Sequence, residues 1–217
     1  MTTELTFTGA RCLLAGEADL RAAEISVAGD RIVEGAGGRR LDLSGHWLLP
    51  GIVDIHGDGF ERHVAPRRGA VDDIGAGLVA TEAELAANGI TTAVLAQFWS
   101  WEGGMRGPDF ARRFLEALSA HRGTGTDLRA QIRLETHLLD DYPAVEAEMA
   151  RHGVGYLVFN DHLPHAALEA GRKVPRLTGQ ALKSGRSPEA HLALLTALHA
   201  RGAEVPPALD ALAARLA

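Results

Sequence analysis

Trp47-Leu48-Leu49-Pro50-Gly51-Ile52-Val53-Asp54-Ile55-His56-Gly57-Asp58 places an imidazole and a carboxylate two residues apart at the end of an apolar run. In an extended segment, residues i and i+2 point to the same side. His56 and Asp58 could therefore grip one metal ion at the carboxyl end of a strand over residues 52–55, which the pattern predicts to be buried. Pro50-Gly51 punctuates the chain just before this strand.

Upstream, residues 4–46 read as short strands and turns. Glu24-Ile25-Ser26-Val27-Ala28 and Arg31-Ile32-Val33 flank Gly29-Asp30, a hairpin pattern. Downstream, the rhythm changes to alternating helix and strand. Residues 71–88 carry helical spacing, with Gly89 as closing cap. Ile90-Thr91-Thr92-Ala93-Val94-Leu95 is β-branched and reads as a strand. Asp109 reads as the cap of a helix reaching Gly123, and residues 128–134 as the next strand. A helix over 143–152 ends at Gly153, and a strand follows over 154–159. Residues 163–186 give a weak pattern, read as a long loop with some helix. Ser187-Pro188 and Pro206-Pro207 open the last two helices.

Strands alternating with helices imply parallel βα units, which bind ligands at the carboxyl ends of their strands. About four such strands are readable, whereas a closed barrel needs eight. Each polar candidate lies just past one of them: His56 and Asp58, then Gln97, then Glu135 and His137, then Asp161-His162. Carboxylates and imidazoles at one rim suit a catalytic divalent-metal site, and two nearby cations can activate one water. Taken alone, Glu135 reads as a partner for Arg133, Asp161-His162 as a loop cap, and His137 as a supporting or surface residue. His46, His121, His152, His191 and His199 read as structural or exposed. Arg62, Arg67 and Arg68 crowd the loop after His56 and suit phosphate oxygens, or else a plain solvated loop. The aromatic, Gly-rich stretch 97–104 reads as a lid over the site or as packing for the N-terminal sheet.

The chain has 217 residues, 46% of them hydrophobic, so it can build a real core. A net charge of −6 argues against non-specific nucleic-acid binding. Cys12 is the sole cysteine, which excludes an intrachain disulfide and a thiolate cluster. Met1-Thr2-Thr3-Glu4 does not begin a signal peptide, and no apolar run reaches membrane-spanning length. The expectation is a soluble, cytoplasmic chain with no membrane partner.

At these residues the chain resembles the amidohydrolase superfamily, and within it the α-D-ribose 1-methylphosphonate 5-triphosphate diphosphatase family. His56-Gly57-Asp58 matches that family's H-x-D. Glu61-Arg62, Pro66-Arg67, Asn88-Gly89-Ile90-Thr91-Thr92, Leu134-Glu135 and Asp161-His162-Leu163-Pro164 follow at similar spacing. His165 stands where the family usually has Gly, and the family's later Ser-His-Asp-Asp and Ser-Asp-Tyr motifs are absent. The resemblance implies the N-terminal half of an amidohydrolase-type (β/α)8 TIM barrel over residues 49–217, preceded by a small β-sandwich portion over 1–48. It implies a metal-dependent hydrolase of organic phosphonate catabolism that releases diphosphate from α-D-ribose 1-methylphosphonate 5-triphosphate, with this chain a truncated, weakly active or inactive form. His56, Asp58, Glu135 and His162 would hold two divalent ions (Zn, Mn or Fe), with Glu135 and Asp58 at the catalytic centre. Arg62, Arg67 and Arg68 would hold the substrate. Two alternatives stand beside this reading. One is an amidohydrolase acting on cyclic amides or deaminating a base. The other is a truncated, non-catalytic fragment, whose uncovered strand edges would invite homo-oligomers.

Overall fold

The computed structural model describes residues 4–35, 37–65 and 73–217. The chain divides into two compact units, Met1–Ile52 and Val53–Ala217. The first is all β. Its strands are β1 (Glu4–Thr8), β2 (Arg11–Cys12), β3 (Arg21–Ala22), β4 (Ile25–Ala28), β5 (Arg31–Val33), β6 (Arg39–Asp42) and β7 (Trp47–Leu48). They form one sheet of order β5-β4-β1-β6 and a smaller one of order β3-β2-β7. The β4–β5 hairpin pairs Ala28 with Arg31, so Gly29-Asp30 is its turn, and Gly29 takes the positive φ such a turn demands. Thr6 and Ser26 are buried, and their hydroxyls bond each other at 3.0 Å.

The second unit is built on β8 (Ile52–Gly57), β9 (Ile90–Trp99), β10 (Asp127–Glu135) and β11 (Leu157–Asn160), in the order β11-β10-β9-β8. β10 pairs in parallel with both β9 and β11. Around them lie α1 (Glu61–Val64), α2 (Ile74–Ala87), α3 (Pro108–Ala120), α4 (Tyr142–His152), α5 (His165–Glu169), α6 (Leu177–Ser184), α7 (Pro188–Ala200) and α8 (Val205–Leu216). A sheet whose spatial order follows the chain, with helical crossovers, is the arrangement of a βα barrel segment. Among the described residues no helix is long and apolar enough to cross a membrane.

Alternation along the strands separates two faces. Ala93, Leu95 and Trp99 of β9, with Ile132 and Leu134 of β10, pack on Leu78, Phe114, Leu115, Val145 and Leu212 from four helices. Full burial of each Leu, Ile, Val or Phe among them contributes about 1.5–3 kcal/mol. Gln131, Arg133 and Glu135 fall on the opposite face. A second cluster of Trp101, Leu163, Val174, Leu195 and Leu198 packs α7 against the segments that leave β9 and β11.

Several local predictions hold. Gly89 (φ 74°) follows α2, Gly153 (φ 65°) closes α4 in the left-handed region, and the Ser187 side chain accepts from Ala190 N ahead of Pro188. Others need correction. Residues 52–55 are not buried: Ile52, Val53 and Ile55 are more than half exposed, because β8 is an edge strand. β9 runs on to Trp99, so Gln97 lies inside it, donating to Met105 O at 3.0 Å. Gly107, not Asp109, caps α3, since Pro108 already fits the first helical position. Residues 154–156 are the turn out of α4, and β11 starts only at Leu157. Residues 163–186 agree with their reading as a long loop with some helix, the helices being α5 and α6.

Glu82 on α2 secures the entry to β10. Burial alone would raise its pKa. Bonds from His121 Nε2 and the amides of Thr124, Gly125 and Thr126 outweigh that and hold it at about 2. Glu82→Gln should cost on the order of 2 kcal/mol, the scale of lost hydrogen bonds to a charged group. A depressed carboxyl stabilises the fold above its unfolded value of 4.5, and that stabilisation fades as pH falls toward about 2. Thermal melts of both proteins should therefore converge across that window, and an equal Tm at neutral pH would refute the clamp.

Candidate metal centre

Glu135 is the last residue of β10, and it is fully buried. Its carboxylate is clamped from two elements. Oε1 lies 2.5 Å from His162 Nδ1, while Oε2 accepts from His162 N at 3.0 Å and from Trp101 Nε1 at 3.1 Å. Parallel register explains the meeting: Glu135 pairs with Asn160 at the end of β11, so the chain just past β11 crosses the tip of β10. Trp101 is buried against His191 at 5.8 Å between ring centroids. The aromatic stretch after β9 thus covers the strand tips.

The other predicted ligands lie apart from this pair. His56 Nδ1 sits 2.5 Å from Gln131 Oε1. Gln131 is four residues before Glu135, about 13 Å back along the strand. Asp58 is exposed, one residue beyond β8. Among the described residues, no three of His56, Asp58, Glu135 and His162 gather their donor atoms within reach of one ion. Arg62 is ion-paired with Glu84 of α2, which also meets His63 Nε2 at 2.5 Å. Arg67 and Arg68 lie outside the described residues. Arg133 does not pair with Glu135. Its guanidinium stacks on Phe98 at 3.9 Å, and its Nε is buried without a partner. Arg106 covers the same ring at 4.3 Å and is paired with Glu61 and Glu102. His162 lies 6.1 Å from Phe98, ring to ring.

A further group forms beside Glu135. Donor atoms of His137, Asp161 and His165 all lie within 4.8 Å of one another. His165 Nε2 is 2.8 and 2.9 Å from the two Asp161 oxygens, and His137 Nδ1 is 3.7 Å from Oδ1. His165 Nδ1 faces His199 Nδ1 at 3.0 Å. Burial holds the His137 imidazole below its ordinary pKa, against the pull of Asp161, so it favours the neutral form that metals bind. Tyr142 fixes this corner by donating to Thr136 O at 2.6 Å, and burial pushes its own pKa up to about 12. The sequence singled out Asp161-His162 and left His137 open, but it put His199 among the structural or exposed residues and noted His165 only as a departure. Asp161 precedes α5 and His165 is its first residue, so no helical spacing announced the pair; the turn through Leu163 and Pro164 brings them together.

No protein-family model matches the chain, and no curated protein matches it. Solved structures do. The formyltransferase/hydrolase complex FhcABCD from Methylorubrum extorquens, in complex with methylofuran, matches with a TM-score of 0.52 at 18% identity, over 94% of this chain and 41% of that one. A triazine hydrolase variant matches with a TM-score of 0.50 at 16% identity, over 89% and 58%. The likeness shows a shared fold. The chain spans between about two fifths and three fifths of the length of these two chains.

The Glu135 clamp can be tested by stability alone. Trp101→Phe keeps the ring and removes one donor to a buried carboxylate, which should cost about 2 kcal/mol. Combined with Glu135→Gln, the two losses should fall short of additive by more than about 0.5 kcal/mol in urea titrations. Strict additivity would show that the bond carries no weight.

Proposed function

We propose that the strand-tip site belongs to a metal-dependent hydrolase acting on an anionic, phosphorylated substrate. The observation that carries this reading is a fully buried carboxylate, Glu135, in contact with the half-exposed imidazole of His162, beside a guanidinium without a carboxylate partner. Oxygen and nitrogen donors of this kind fit Zn, Mn or Fe. Glu135 and His162 would hold one ion, and His56 with Asp58 would supply a second donor pair from β8. Bound ions would supply water activation and charge neutralisation. The chain's own residues do the rest. Trp101 keeps water from one face of Glu135, and His162 holds or releases a proton at Nδ1 against Oε1.

Substrate charge is where the geometry refines the sequence. Arg62 already answers Glu84, and Arg106 answers Glu61 and Glu102. Among the described residues Arg133 makes no ion pair. It sits two residues before Glu135 on the same face, about 7 Å away along the strand. We assign it the contact to a substrate oxyanion, with Phe98 holding it in place. The resemblance to phosphonate-pathway diphosphatases supports a sugar triphosphate losing diphosphate. The likeness in fold to a triazine hydrolase equally accommodates a C–N bond hydrolase, for which Arg133 would have little use.

The chain, supplied with Zn2+ or Mn2+, should release diphosphate from ribose or nucleoside triphosphates. Glu135→Gln and His162→Ala should lower turnover by at least about a hundredfold, the scale of a lost electrostatic or general-base group. Arg133→Ala should raise KM about tenfold or more, and Arg62→Ala should change it little. Hydrolysis of cyclic amides with no turnover of triphosphates, unaffected by Arg133→Ala, would replace this reading with the C–N one.

A further inference from the structure

We propose that His137, Asp161 and His165 form a binding site for a transition-metal ion of the zinc class, separate from Glu135 and His162, with His199 orienting His165. The site draws on the loop after β10, the loop after β11 and the first turn of α5, buttressed from α7.

Geometry carries the case. An ion with bonds of about 2.0–2.1 Å in a tetrahedral field keeps its ligand atoms about 3.3 Å apart. The separations here, 2.8 and 2.9 Å for Asp161 to His165 and 3.7 Å for Asp161 to His137, straddle that value. Both separations from Asp161 are thus near ligand spacing before any ion binds, and all three donors lie within 4.8 Å of one another. His137 is buried, whereas Asp161 and His165 are partly exposed, so the site has a fixed wall and an open mouth. The Asp161 turn is anchored by Leu163, whose N donates to Oδ1 at 3.2 Å and whose side chain is buried.

His199 supplies the tautomer. Two imidazole nitrogens 3.0 Å apart need one proton between them. In the ion-bound form the proton would sit on His165 Nδ1, donated to His199, and the lone pair of His165 Nε2 would face the ion in place of the bond that Nε2 otherwise donates to Asp161. A ligating histidine commonly has such a partner on its other nitrogen, and loss of that partner costs about ten- to a hundredfold in affinity. Two imidazoles and one carboxylate select a borderline ion over Mg2+ or Ca2+, which prefer oxygen donors throughout. Three protein donors leave at least one position for water or another ligand.

The test is Zn2+ affinity of the full chain, measured by competition with a chromophoric chelator, with Co2+ absorption as the geometric readout. The wild type should bind one equivalent that His165→Gln and Asp161→Asn each weaken at least about tenfold, and that Glu135→Gln and His162→Gln leave in place. His199→Gln, whose side chain does not ligate, should weaken the same equivalent about tenfold with unchanged circular dichroism. It also serves as the reporter should a ligand variant misfold. Zn2+ should raise the Tm of the wild type by more than that of His165→Gln. Absence of Zn2+ binding would overturn the site, as would an equivalent indifferent to His165→Gln and His199→Gln, or one lost only with Glu135 and His162. The hydrolase reading stands or falls on Glu135 and His162, so the two can fail separately.

Discussion

A carboxylate with no exposed surface must find donors or lose its charge. Glu135 is that group, and the architecture at the carboxyl end of the sheet follows from satisfying it. Trp101 must come over the tip of β10 to give its indole N–H, which commits the segment after β9 to a buried path. The chain past β11 must cross the same tip so that the His162 amide and ring can reach the two oxygens. Once both segments are pinned, Leu163 and Trp101 offer an apolar surface, and Leu195 and Leu198 of α7 cover it.

Parallel pairing makes this convergence possible. β9, β10 and β11 run in register, so their carboxyl ends arrive at one rim and whatever follows them shares it. The amino-terminal ends are managed differently. There the buried Glu82 carboxylate gathers three successive amides in a loop, a backbone cradle that lets a charged oxygen sit inside the protein.

Much of this was legible in the sequence, because local rules govern it. Gly89 and Gly153 declare helix ends, Ser187-Pro188 declares a start, and alternation places Glu135 and His162 past neighbouring strands. What sequence could not give depends on distant neighbours. Ile52, Val53 and Ile55 have the composition of a buried strand, but among the described residues β8 lies at the sheet edge and neither core cluster packs against it. Arg133 looks like a partner for Glu135 until the aromatic face of Phe98 is seen beside it. His165 and His199 are 34 residues apart, and only the packing of α5 on α7 makes them neighbours. In the first unit the β4–β5 hairpin announced itself through Gly29-Asp30, whereas the division of the short strands into two sheets did not.

The contact between His56 and Gln131 has a mechanical meaning. These residues belong to β8 and β10, strands separated by β9, and their side chains meet at the level of Ala96, a fully buried methyl that leaves room for them. A bond linking next-nearest strands spans the sheet like a string across a bow. It is shortest when the surface beneath it bends toward it, so it resists flattening and biases four strands toward the curvature of a closed wall.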